Sequence, residues 1–366
     1  MSPARGWELV ASDATDAEAM RRLASRTAVL ASTVGPYARY GRDVVRAAAE
    51  EGTDYADLTG EILFVRWALH EVDRRARETG ARIVHSCGFD SIPSDLGVLL
   101  TAQRATADGQ GTLEETRLVV RELKGGISGG TVDSARQQAI AVHADPALRR
   151  LLQDPYALSV LRTGEPDSSA DRPAGRTPLP NRLPVERDPV TGHWLGPFVM
   201  SDYNTALVEL SNALAAETYG RGFRYKEFSD FGHTPLGPVR ALTMSMALAA
   251  LGRGLSWSPT RAVLDRLLPK PGEGPTAERR AAGRFRMEII ARTRTGARYR
   301  TTVAAPHDPG YDGTAIMLGE SALCLALDQP GTPRSCGVLT PATALGNALV
   351  ERLRRNGFVF EVERFA

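Results

Sequence analysis

Cysteine is scarce in this chain. There are three among 366 residues, at positions 87, 324 and 336. An odd, widely spaced set supports neither a disulfide framework nor a zinc site, and it suits a reducing, cytoplasmic compartment. Net charge is also nearly missing, at +2, which gives no electrostatic footprint for nucleic acid. Lysine occurs only at 124, 226 and 270, the remaining basic residues being arginine, so Lys124 stands out. No apolar run approaches the ~20 residues of a membrane span. The longest, ALTMSMALAAL at 241–251, lies between Arg240 and Arg253. It reads first as a buried helix. The alternative is a helix on a lipid surface, or one lining a tunnel for an apolar chain. The first residues, MSPARGWELV, hold no apolar core of signal-peptide length.

Present instead are three polar loops within the first hundred residues: STVGPYARYG (32–41), DYADLTGE (54–61) and HSCGFDSIPSD (85–95). Each is tied to a short strand-like segment, TAVLA, DYADL or ARIVH. Helical stretches closed by Gly52 and Gly80 separate them. Strand, loop and helix repeated in one direction predict a parallel sheet whose ligand edge carries all three loops. Beyond it, 113–123 alternates as a strand and 131–143 reads as a helix. Residues 161–193 form a Pro-rich loop, 205–218 a helix and 222–228 a strand. A further helix is expected near 259–268. Residues 284–305 predict a hairpin, 314–328 and 341–357 helices, and 358–363 a closing strand. The expected fold class is α/β, a partial Rossmann-type parallel sheet plus an α+β substrate domain. The expected domains are 1–112, 113–310 and 311–366, the last returning to pack on the first.

In STVGPYARYG, Gly35 and Pro36 set a turn after a strand, and Tyr37 or Tyr40 offers a hydroxyl to a ligand. The bland reading is a turn with no ligand. In CGFDSIPSD, Cys87 has no base fixed beside it, so an inert buried thiol is expected, with His85 on the same strand face. Asp90 and Ser91 are the better ligand contacts, and Asp95 reads as a helix cap. In DYADLTGE, Tyr55 and Glu61 are candidate ligand contacts, while Asp57 or Thr59 reads as a cap. KGGISGGT holds Gly126-x-Ser128-x-Gly130, the pattern of a serine-hydrolase elbow. Its partners would be Asp202 with His233 or His307. The other reading is a glycine run (Gly126, Gly129, Gly130) that lets backbone approach a ligand beside Lys124.

In order, VGPYARYG, GTDYADLTGE, ARIVHSCGFDSIPSDLGV, KGGISGGT, PGYDGTAIMLGESALCLALD and GVLTPATALGNALVERL resemble the saccharopine dehydrogenase-like oxidoreductases. Within them, the series is most similar to the trans-acting enoyl reductases. It spans residues 34–353. The resemblance implies a nicotinamide cofactor of the NADP type and reduction of a carbon–carbon double bond in a polyketide-derived acyl chain. A carrier or synthase would present that chain. It implies cofactor contacts at Thr33, Gly35, Pro36, Tyr37, Cys87 and Gly88. Catalytic candidates are Tyr37, Asp90, Ser91 and Lys124, and substrate contacts are Tyr55, Gly126, Ser128, Gly129 and Gly130. No metal is expected. The family pattern begins with a strand and a Gly-rich turn that this sequence does not contain. The expectation is that the natural protein is longer, the rival being a truncated acyl- or partner-binding remnant. TAVLA is then expected at a bare sheet edge, with WELVA either stranded or sliding in to pair with it.

Overall fold

A computed structural model describes residues 6, 8–125, 129–159, 185–256, 260, 264, 274–328 and 335–365. The apolar runs named above become strands β1 (Val29–Ser32), β2 (Asp54–Asp57) and β3 (Arg82–Val84). A later strand, Gly337–Leu339, completes a four-stranded sheet in the order β1, β2, β3 and 337–339, every pair parallel. That last strand is absent from the reading of the sequence, because two apolar residues after Ser-Cys-Gly carry no period. β1 is the edge strand, as expected. The described part of WELVA, residues 8–11, does not slide in to pair with it: Leu9 is 94% exposed.

Helices cover both faces of this sheet. Helix α1 (Ala17–Ala24) is capped by Asp16, whose carboxylate accepts from the amides of Glu18 and Ala19. Helix α2 (Tyr37–Tyr40) continues into α3 (Arg42–Glu51), which Gly52 ends at φ 73, a left-handed conformation that favours glycine. The stretch 62–79 forms two helices, α4 (Ile62–Glu71) and α5 (Asp73–Thr79). Their apolar faces, with Tyr55 and Ile83, build one core. On the opposite face Ala56, Val84 and Cys87 join a second core shared with the rest of the protein.

Helix α6 (Ile92–Ala107) leads from β3 to strand β4 (Leu113–Lys124) in the middle of a seven-stranded mixed sheet. Its neighbours are β7 (Arg224–Asp230), parallel to it, and β8 (Arg284–Thr293), antiparallel. The tail of the Pro-rich loop supplies β5 (Glu186–Arg187), which pairs with β6 (Trp194–Pro197). The 284–305 hairpin forms as expected from β8 and β9 (Arg298–Ala305). Helix α6 crosses this sheet so closely that a Cβ on Gly97 would come within 2.3 Å of the Ile289 side chain. Outside, Arg121 pairs with Asp188, Asp230 and Glu288 at 2.9, 2.8 and 2.9 Å.

Residues 337–339 return to the first sheet, and the closing strand Val359–Phe365 pairs antiparallel with β9 of the second. The two sheets are thus tied by both ends of the last segment. The 241–251 run differs from the expectation of a buried helix. It lies in a longer helix, Gly237–Ser256, and is not buried: Leu242, Met244 and Met246 are 46, 43 and 61% exposed. Of the helix expected near 259–268, all but residues 260 and 264 lie outside the described residues.

Candidate active site

The three loops come together at the carboxyl edge of the first sheet, and two buried carboxylates hold them there. Asp57, at the tip of β2, binds the next tip along. Its carboxylate accepts from the Ser86 amide at 3.1 Å, from His85 Nδ1 at 2.8 Å and from the Thr59 amide at 3.0 Å. Its own carbonyl accepts from the Cys87 amide at 2.6 Å. Ser86 takes φ 68, an uncommon conformation for a serine, and these bonds hold it there. Its hydroxyl donates to the Thr59 carbonyl at 2.9 Å and accepts from Tyr203, on helix α9 (Ser201–Leu214), at 2.5 Å.

Glu61 does the same toward β1. One oxygen accepts from the Tyr37 amide and the other from the Ala38 amide, both at 2.9 Å. Ser134, on helix α7 (Gly129–Ala144), adds a third bond at 2.7 Å. A carboxylate at the start of a helix meets both unpaired amides and the positive end of the helix dipole. Glu61 therefore fixes the turn that the cis Gly35-Pro36 bond begins. Asp57 and Thr59 cap no helix. They close the 57–61 loop, Thr59 Oγ1 accepting from the Glu61 amide.

The candidate residues fall into distinct environments. Thr33 and Gly35 are exposed at the open tip of β1, and Pro36 is buried beneath them. Tyr37 is buried. Its hydroxyl donates to the Ser32 carbonyl at 3.0 Å and accepts from the Leu58 amide at 3.2 Å. Burial, and then the charge of Asp57, hold that phenol far above its usual pKa. Tyr55 is fully buried, edge-on to His85 in the core below. Cys87 is buried and burial raises its thiol pKa, as befits an inert cysteine. Gly88 lies so near Leu58 and Thr314 that a Cβ there would come within 2.9 Å of the Leu58 side chain. Lys124 is exposed at the end of β4. Its neighbour Leu123 stands opposite Phe285, whose ring meets that of Phe89 at 4.7 Å, so this strand end adjoins the β3 loop. Gly129 and Gly130 open α7, while Gly126 and Ser128 lie outside the described residues. No hydrogen bond joins Asp202 to His233 or His307, and His307 donates instead to the Asn356 carbonyl at 3.0 Å.

At the junction of the two sheets, Asn204 on α9 bridges both. It donates to the Asp90 carbonyl at 2.7 Å and to Glu227 of β7 at 2.9 Å, and accepts from Ser91 at 2.8 Å. Ser94 and Tyr225 also donate to Glu227, at 2.5 and 2.7 Å. The Ser91 hydroxyl is therefore spent on the scaffold. The Asp90 side chain is not: half-buried, its carboxylate has no hydrogen-bond partner among the described residues. Asp95 is the fourth residue of α6 rather than its cap, because Ile92 and Pro93 already open that helix. It accepts from Ser211 at 2.5 Å and from the Ala342 amide at 2.7 Å, capping a different helix.

The sequence reading passed over Tyr203, Asn204, Glu227 and Ser134. The only local signal is polar residues where an apolar helix or strand face is expected, as in YNTALVEL and RYKEF. Truncating Asn204 to alanine leaves Ser91, Glu227 and the Asp90 carbonyl each short of a partner. A loss of ~2–4 kcal/mol in urea denaturation is expected.

Burial lifts three of these carboxyls, Asp90 to about 6, Asp95 to about 6 and Glu227 to about 7. Each raised group favours folding while protonated, and that contribution is lost as pH rises from the ordinary carboxyl pKa of ~4 to ~7. The melting temperature should therefore fall across that interval. Glu227→Gln should flatten its upper end, which a melting series against pH will read.

No family model matches the chain. It is 43% identical over 368 residues, 99% of this chain and 86% of the other, to a protein of Mycobacterium tuberculosis H37Rv provisionally named trans-acting enoyl reductase. It is 42% identical over 370 residues, 99% and 86%, to the trans-acting enoyl reductase of Mycobacterium ulcerans Agy99. Among solved structures it resembles apo saccharopine dehydrogenase (L-Glu forming) of Saccharomyces cerevisiae. The TM-score is 0.51 at 14% identity, over 99% of this chain and 91% of that one, a likeness of fold. Identity of this extent over nearly the whole length places the chain, whose fold is like that of saccharopine dehydrogenase, in the trans-acting enoyl reductase family.

Proposed function

We propose that this protein reduces the carbon–carbon double bond of an α,β-unsaturated acyl thioester from polyketide or lipid synthesis. NADPH is the hydride donor, and a carrier or synthase partner presents the acyl group. The observation that carries this reading is the convergence of three strand-tip loops on one edge, in a chain of this family, with buried Asp57 and Glu61 holding them. The open tip at Thr33–Gly35, above a fully packed floor, suits one face of a nicotinamide ring. The described residues contain no Gly-rich turn for the diphosphate, so the fit extends to the nicotinamide end alone. Three unpaired cysteines suit a reducing cytosol.

When bound, the cofactor supplies a hydride to the β carbon. The chain's own task is then to stabilise the enolate and return a proton. Lys124, at the end of β4, places a positive charge for the enolate oxygen. Asp90, whose pKa burial raises to about 6, gives its proton from the acid form to the α carbon and is left as carboxylate. Tyr37, with both hydrogen-bonding roles used internally, positions the β1 tip and donates nothing to substrate. The test is NADPH consumption by the purified protein with a short 2-enoyl thioester, free and carrier-bound, beside calorimetry with NADPH and NADH. Turnover of the enoyl thioester supports the reading. Absence of turnover together with absence of nucleotide binding overturns it.

A further inference from the structure

We infer that the helix Gly237–Ser256, α10, rests on an anionic lipid surface. Val239, Leu242 and Met246 recur at helical spacing and are 59, 46 and 61% exposed. Ala249, Ala250 and Arg253 continue the same exposed stripe. Leu236, just before the helix, and Met244 beside the stripe are 58 and 43% exposed. A soluble surface rarely gathers so many large apolar side chains in one row.

Charge identifies the occupant. From Phe231 to Leu264 there is no aspartate or glutamate, although the chain has 43 acids in 366 residues. The same segment carries Arg240, Arg253 and Arg261. Arg240 and Arg253 are exposed near the two ends of the stripe and pair with no acid among the described residues. Among the described residues, the elements packed behind α10 add no free negative charge. β6 has no ionisable side chain, and the single acid of α7, Asp133, pairs with Arg136 at 2.6 Å. An apolar row with arginines at its ends and no acid nearby matches a surface with acyl chains beneath anionic headgroups. No helix of the described residues is long and apolar enough to cross a membrane, so α10 lies along the surface.

Vesicle co-sedimentation of the full chain tests this with two compositions, phosphatidylcholine alone and phosphatidylcholine with phosphatidylglycerol. Binding to the anionic vesicles is expected, with weaker binding to the neutral ones and loss in high salt. Leu242→Glu and Met246→Glu should each lower the partition about tenfold, and Arg240→Gln and Arg253→Gln about fivefold each. All four positions are exposed, so circular dichroism should be unchanged. Failure to bind either vesicle overturns the proposal. So does binding indifferent to all four substitutions. If the wild type is instead a dimer that Leu242→Glu dissociates, without vesicle binding, the face belongs to a second copy. None of these readouts uses turnover, so the outcome is independent of the enoyl reductase assay.

Discussion

Asp90→Asn will lower kcat by ~100-fold or more while leaving the protein as stable as before, or more so. General acid catalysis by a positioned carboxyl contributes ~10²–10⁴-fold, and asparagine cannot release a proton. The side chain contributes little to the scaffold: its carboxylate has no hydrogen-bond partner among the described residues, and Asn204 binds the residue through its main-chain carbonyl. Replacing a partly desolvated carboxyl by a neutral amide removes the cost of ionising it there. Loss of turnover with retained stability therefore separates a chemical role from a structural one. Because burial raises Asp90 to about 6, its acid form empties above that pH. The rate should fall as pH rises through ~6–7, and in Asp90→Asn the residual rate should lose that limb. A variant that kept wild-type kcat and pH profile would remove Asp90 from the mechanism.

The second large effect concerns Glu61. Its carboxylate accepts from two main-chain amides and one hydroxyl in a site only 1% exposed. Glu61→Ala leaves one buried and two part-buried donors without an acceptor and should cost ~3–5 kcal/mol, measured by urea denaturation. The harm should be greatest at the β1 tip, since the turn at 36–38 loses the group that closes it. With the tip misplaced by even ~1 Å, kcat/KM should drop by ~100-fold. Ser134→Ala removes a single donor and should cost only ~1 kcal/mol. If Glu61→Ala matched Ser134→Ala in stability and rate, the stapling role would be refuted.

The first sheet was legible because its strands are short apolar runs followed by glycine- and proline-rich loops. Gly52 and Gly80 both end helices where expected, at φ 73 and 86. The 284–305 hairpin was legible for the same reason, a β-branched repeat broken by Thr-Gly. What could not be read were partnerships across long separations. Nothing near Asn204 says that it will meet Asp90 and Glu227, 114 and 23 residues away. Nothing near Asp95 says that it will cap a helix at Ala342, 247 residues on. The burial of 241–251 was misread because apolar composition reports the tendency to leave water, not the presence of a neighbour to pack against.

The sequence alone determined most of the segments that become strands and helices, and hence that three polar loops share one edge. Strand direction and helix length follow from local spacing of apolar side chains and from the backbone freedom of a few glycines. The tertiary structure alone decided which polar groups at that edge are spent and which are free. Tyr37, Ser91 and Glu61 look as available as Asp90 in the sequence, yet the fold engages the side-chain polar groups of the first three in its own hydrogen bonds. Burial makes an unpaired polar group costly, so packing must satisfy nearly all of them. Which it leaves without a partner among the described residues, as with the half-buried Asp90 carboxyl, is set by three-dimensional neighbours that no local pattern encodes.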